Sequence, residues 1–425
     1  MTEFPVNVPR GATLALVSLG CAKNAVDLQV LAGDLVKRGC TLSPDPDRAD
    51  VAIVNTCAFI ASAREEAEAE IVRALELKRR GQYGRVIVAG CYPQRYPGRE
   101  GAFPGVDGWV GVPQRWVEPK LPGLRLTGKA FAYLKIAEGC AHRCSYCAIP
   151  GIRGKYRSRP LRSILREARA LIASGCRELN VIAQDPMLWR EETKSGRRRT
   201  LPDLLRAIDR IPGEFWVRVL YSYPSEITEG FLDWMRTSRH AVRYVDVPIQ
   251  HTDPAVLAKM NRARAIQASR VAAEALRAAV PGVTLRTTVM TGFPGETEAR
   301  FRAMLADLKR MQFDRLGAFA FSPEAGTKAM AMKGRASAAV ARERERLVMA
   351  QQAKIWRLKA KRLIGSVCRA LVVAPGVART ASQAPDVDGV TYLREAGRAS
   401  PAEVGSFVDV RLTKVCGFDF EGEVV

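Results

Sequence analysis

"GCAHRCSYCAIP", residues 139–150, places Cys140, Cys144 and Cys147 within eight positions, at the end of the strand-like run "FAYLKIAEG". The C-x3-C-x2-C spacing departs from the paired C-x2-C units of structural zinc sites, and no second pair stands nearby. Closely spaced thiolates on a loop are the usual ligands of iron–sulfur clusters. Three cysteines around a four-iron cluster leave one iron open to an outside ligand, which is a catalytic arrangement.

Working outward, "FAYLKIAEG" opens a series of strand candidates that continues with "ELNVIAQD", "FWVRVLYS", "YVDVPIQ", "LRTTVMTG" and "RLGAFAFS". Helical segments lie between them, such as "SILREARALIASG", whose Gly175 is a good helix stop. Six βα units predict an incomplete parallel barrel, open on one side, and such barrels carry their chemistry on the loops after the strands. The cysteine loop follows the first strand directly.

Upstream, "TLALVSLGC", "VAIVNTCAF" and "RVIVAGCY" alternate with helical runs, the pattern of an α/β domain with a parallel sheet. Each strand is followed at its carboxyl end by a cysteine: Cys21, Cys57 and Cys91. Ligands bind at that edge of parallel sheets, so the three thiols are expected to converge. Core packing is the other reading, since free cysteine is among the most buried residue types. Cys40, at a helix end, fits a buried structural thiol, and Cys176, Cys368 and Cys416 lack partner spacing.

The passage "GVPQRWVEPKLPGLRLTGKA" closes the first unit near residue 128. From about 333 to 364 the chain reads as one long basic helix. After it come "VCRALVVA", "GVTYL" and "SFVDVRLTKV", separated by Gly and Pro, which predict a small all-β module. The expected fold is thus α/β, with three domains at 1–127, 128–364 and 365–425.

Of the 425 residues 47% are hydrophobic and 26% charged, an ordinary globular composition. No apolar run of about 18 residues predicts a membrane span. Glu3 and two prolines near the start argue against an export signal, so the ten cysteines are expected to stay reduced in the cytoplasm. The net charge of +22 fits RNA or the ribosome as a partner, or solvated basic faces. Of two basic stretches, "RGKYRSRPLR" beside the cysteine loop is a candidate for substrate or cofactor contact, and "GRRR" at 196–199 reads as a solvated loop.

C-x3-C-x-aromatic-C, with Tyr146 before the last cysteine, resembles the radical S-adenosylmethionine superfamily. That resemblance implies a central partial (β/α)6 barrel and an S-adenosylmethionine that chelates the open iron and yields a 5'-deoxyadenosyl radical. "VMTGFPGETE" agrees, with Gly292, Gly295 and Glu296 at a strand end expected in the cofactor pocket together with Tyr146 and Gln184. "SLGCAKNAVD", "NTCAF" and "AGCYPQR" resemble the N-terminal domain of the methylthiotransferases, and the tail resembles their TRAM module. The resemblance implies two [4Fe-4S] clusters, one on Cys21, Cys57 and Cys91 and one on Cys140, Cys144 and Cys147. It further implies external electron and sulfur donors.

Two substrate classes occur in that family: a tRNA adenosine, and an aspartate β-carbon of small-subunit ribosomal protein S12. "SLGCAKN", "YLKIAEGC", "VIAQD", "VDVPIQH" and "FDRLGAFAFSPEAGT" are similar to the protein-modifying type. By that resemblance Asp246, Gln250 and His251 are expected at the pocket as catalytic or substrate residues. The tail carries six basic against eight acidic residues in a chain of +22, a balance that suits a basic protein better than phosphates. The expected partner is therefore protein S12, met free or on the small subunit with contact to its RNA. A cluster-bearing ribosome- or RNA-binding protein without catalysis is the contrasting class.

Overall fold

The computed structural model describes residues 7–113, 117, 119, 124–394 and 402–425; residues 1–6, part of the 111–130 passage and residues 395–401, with Glu395 and Arg398 of the tail's charge balance, lie outside them. Three parallel strands, β1 (Thr13–Ser18), β2 (Ala49–Thr56) and β3 (Tyr83–Gly90), form the centre of the first sheet. Short strands at Thr41–Leu42 and Gly108–Val110 flank them. The central strand β2 is buried on both faces, which explains its continuous apolar run. Helix α1 (Ala22–Lys37) is buried along most of its length, whereas α2 (Ala61–Arg79) buries only Ala67, Ile71 and Ala74 and leaves its acidic residues exposed or half-buried.

The second unit holds the six expected strands: β4 (Phe131–Lys135), β5 (Glu178–Ile182), β6 (Trp216–Val219), β7 (Tyr244–Asp246), β8 (Thr284–Thr291) and β9 (Arg315–Ala320). They form two three-stranded parallel sheets that meet between β6 and β7, where an isolated bridge joins Val217 to Ala241, just before β7. The open side lies between β4 and β9, and the first unit spans it. On the β9 side Glu324 pairs with Arg95 at 3.1 Å and accepts the Ala61 N–H at the start of α2 at 2.8 Å. A barrel loop thus caps a helix of the neighbouring unit, one of the orphan donors every helix start exposes. On the β4 side Asp27 of α1 pairs with Lys135, and with Arg153 at 2.9 Å.

The long basic helix runs over Ala338–Lys361 and packs on β8 and β9. Gly292 makes that contact possible: a Cβ there would stand 2.3 Å from the Ala341 Cβ, and φ is +76°. Five strands then close a small barrel: Val367–Ala374, Val377–Thr380, Thr391–Arg394, Phe407–Cys416 and Asp419–Val424. It docks on the amino-terminal ends of the central strands. Glu178, at the start of β5, lies between Arg218, at 2.8 Å, and Arg379 of the small barrel. Arg315, at the start of β9, donates to the Phe418 carbonyl at 3.1 Å. Asp388 accepts from the Tyr244 hydroxyl at the start of β7. The acidic module therefore sits at the opposite end of the strands from the cysteine loop.

The "GRRR" segment forms part of a hairpin, Arg190–Glu192 with Arg198–Thr200, and its arginines pair with Asp203, Glu192 and Glu191. Among the described residues no helix is long and apolar enough to cross a membrane.

Candidate functional site

A cavity of about 690 Å³ lies between the first sheet and the carboxyl ends of the central strands. Cys21, Cys57 and Cys91 line one wall, and Cys140, Cys144 and Cys147 line the other. The first trio stands there because each of the three central strands of its sheet ends one to three residues before a cysteine. Cys21 is the N-cap of α1, and Cys91 opens a short helix. Glycine keeps the edge narrow at two points. A Cβ on Gly20 would meet the Cys57 Cβ at 2.6 Å, and one on Gly90 would meet the Asn55 side chain at 2.6 Å. The second loop is held by the backbone N–H of Ser145, which donates to the Met260 carbonyl at 3.0 Å, and by its hydroxyl, which donates to the Lys259 carbonyl at 2.8 Å.

All ten cysteines are free thiols. Burial pushes Cys91 and Cys147 up to about 12 and Cys140 to about 11, so these three are neutral until a metal takes their protons. A guanidinium stands against one sulfur of each trio. Arg153 Nη2 lies 3.5 Å from Cys91 Sγ, and Arg262 Nη1 lies 3.9 Å from Cys144 Sγ. Each trio is a thiol-only donor set, and among the described residues no three His, Cys, Asp or Glu side chains converge on a single metal ion. Three thiols with a cation behind them fit an anionic cluster that spans the trio.

Of the other expected site residues, Tyr146, Gln184 and Gln250 line the cavity. Tyr146 meets the Phe293 ring edge-on, and Gln184 donates to Glu138 at 3.3 Å. Gln250 holds a φ of +68°, a conformation non-glycine residues adopt at a cost. The remaining residues form a layer behind the wall. Glu296 accepts from the Gly292 N–H at 3.0 Å and from Arg344 of the long helix at 2.7 Å, and its other oxygen faces His251 at 3.3 Å. Gly295 leaves room for Lys259, whose Nζ would be 2.7 Å from a Cβ there. Asp246 accepts from Arg286 at 3.0 Å and from the Tyr221 N–H at 3.3 Å. His142 stacks on Tyr223 with centroids 3.8 Å apart and shares a hydrogen bond of 2.6 Å with Asp185.

Lys23, Arg153, Tyr221, Tyr223 and Arg262 also line the cavity and carry no motif of their own in the sequence. Arg153 lies in the basic run after the cysteine loop, Lys23 in "SLGCAKN" and Tyr221 at the end of "FWVRVLYS". Arg159, in the same basic run as Arg153, is instead buried against Glu167. Lys23 is two residues from Cys21 in "GCAKN", and its Nζ lies 3.0 Å from the Tyr221 ring centroid.

Family models match residues 13–111 ("Uncharacterized protein family UPF0004"), 134–308 ("Radical SAM superfamily") and 364–425 ("TRAM domain"). The chain is 41% identical to the ribosomal protein uS12 methylthiotransferase RimO of Moorella thermoacetica, over 97% of this chain and 99% of that protein. It is 38% identical to the protein of the same name from Syntrophus aciditrophicus, over 98% and 99%. A radical S-adenosylmethionine methyltransferase, TsrM of Kitasatospora setae, shares the fold, with a TM-score of 0.53 at 17% identity over 72% of each chain. Similarity of this extent to full-length relatives shows that the chain belongs to the uS12 methylthiotransferase (RimO) family of radical S-adenosylmethionine enzymes.

Proposed function

We propose that this enzyme adds a methylthio group to the β-carbon of an aspartate side chain in ribosomal protein uS12. In this reading Cys21, Cys57 and Cys91 hold one [4Fe-4S] cluster, and Cys140, Cys144 and Cys147 hold a second. The observation that carries the reading is that both trios line one cavity. Family membership supports S-adenosylmethionine and a [4Fe-4S] cluster as cofactors. When bound, these groups supply a radical able to break an unactivated C–H bond, and sulfur and methyl for the carbon that results.

The chain's own part is positioning and the exclusion of water. Arg153 and Arg262 set a positive charge beside each trio. The Arg95–Glu324 and Asp27–Arg153 pairs hold the first unit over the open side of the barrel, so the two trios stay on facing walls. Tyr146, Gln184 and Gln250 form the wall against which cofactor and substrate lie. Gly292, Gly295, Glu296, His251 and Asp246 hold that wall from behind. The basic balance of the chain supports contact with ribosomal RNA if uS12 is met on the small subunit, and ten unpaired cysteines suit the cytoplasm.

The anaerobically reconstituted, reduced enzyme should convert purified uS12 to a species heavier by one methylthio group and release 5'-deoxyadenosine. Unchanged uS12 alongside modified tRNA would overturn the assignment.

A further inference from the structure

Three cations line the cavity, and two are engaged by the protein. Arg153 is matched by Asp27 at 2.9 Å and Glu138 at 3.1 Å. Arg262 lies over the Tyr223 ring and donates to the Pro248 carbonyl at 2.7 Å. Lys23 differs. It is 8% exposed, and its ammonium faces the cavity with the Tyr221 ring as its contact and no carboxylate paired with it among the described residues.

This placement is unfavourable for a free cation. Lys23 occupies the first turn of α1, where the helix dipole disfavours positive charge. A buried ammonium without an anion is disfavoured by desolvation as well. The Tyr221 face returns part of this as a cation–π contact. Tyr221 is itself held in a strained backbone, with φ at +72°, by the carboxylate of Asp246 on its N–H. Asp246 is in turn fixed by Arg286, which also reaches Asp388 of the C-terminal barrel at 3.5 Å. Burial and the helix dipole both disfavour this charge, and among the described residues no carboxylate pairs with it.

We propose that Lys23 binds the side-chain carboxylate of the substrate aspartate, with Tyr221 steering its ammonium, and so selects a carboxylate over a neutral side chain. This rests on the aspartate reading given above. A carboxylate fixed at that corner leaves its β-carbon hydrogens as the substrate's nearest C–H bonds, because the β-carbon is bonded directly to the bound group.

The test compares wild-type enzyme with Lys23→Met and Lys23→Arg, using purified uS12 and uS12 with the target aspartate replaced by asparagine. A charge-assisted contact of this kind predicts a KM for uS12 raised about ten- to a hundredfold in Lys23→Met, with partial recovery in Lys23→Arg. The preference of the wild type for the aspartate form over the asparagine form should collapse in Lys23→Met, while its iron content stays that of the wild type. Lys23→Met with unchanged KM and unchanged preference would overturn the proposal. So would loss of one cluster's iron, which would assign Lys23 to holding the cluster on Cys21. Wild-type enzyme that leaves uS12 unmodified would instead overturn the aspartate reading itself, and a result of that kind appears before any variant is compared.

Discussion

Arg153, the last residue of the short helix Ile149–Arg153 after the cysteine loop, reaches across to the N-terminal sheet and places its guanidinium 3.5 Å from the sulfur of Cys91. The same side chain pairs with Asp27 and Glu138, so one buried group ties the loop, the first helix and a cysteine of the N-terminal trio together.

Arg153→Met should therefore act twice. Removing one partner of a buried ion network leaves Asp27 and Glu138 facing Lys135 alone, and should destabilise the protein by about 3–5 kcal/mol. Charge and hydrogen bonds at the sulfurs tune a cluster's potential, so losing this cation should make the N-terminal cluster harder to reduce. Denaturant unfolding and an EPR-monitored redox titration read the two effects separately. An unchanged potential would remove Arg153 from the cluster's surroundings.

The contact of Gly292 with Ala341 gives a second expectation. Gly292→Ala puts a Cβ where 2.3 Å is available, at a φ that L-residues rarely adopt. The long helix must then move away from the barrel, at a cost of about 1–3 kcal/mol. Gly326→Ala, with nothing within 4 Å of its Cβ, should cost less, because only its φ of +81° opposes it. Thermal unfolding of the pair distinguishes close packing from backbone strain.

Docking of the C-terminal barrel should depend on pH through Glu178. Burial opposes its ionisation, but Arg379 and Arg218 outweigh this and hold its carboxyl below the usual carboxylate range. A group depressed on folding contributes stability that is present above its unfolded value of about 4.3 and is lost as pH falls through the folded value. Unfolding free energy should thus fall with acid below about pH 4, and the slope should flatten in Glu178→Gln. An identical slope in the variant would mean that other carboxylates carry the acid sensitivity.

Much of this was legible in the sequence because it is local. The six strands announce themselves as apolar runs, and both cysteine trios are marked by position, directly after strands or at cluster spacing. Two strands of the C-terminal barrel were not legible. Val377–Thr380 is only four residues long, and Asp419–Val424 carries charges and a glycine in place of an apolar run. The network of Asp27, Lys135, Glu138 and Arg153 joins segments more than a hundred residues apart, and no periodicity announces such a meeting. The same holds for Lys23 over Tyr221. The acidic balance of the tail is a count that needs no fold, but its place at the far end of the strands follows from ion pairs that only the folded chain brings together.

The shared cavity is tested most directly by pulsed EPR of the reduced, reconstituted enzyme, read beside variants in which each cysteine trio is replaced by alanine. Two clusters on facing walls predict two paramagnetic centres with a spin–spin splitting in the wild type. Each variant should retain one centre with an uncoupled spectrum. A wild type that holds a single cluster, or two centres without coupling, would contradict a common site for the six cysteines.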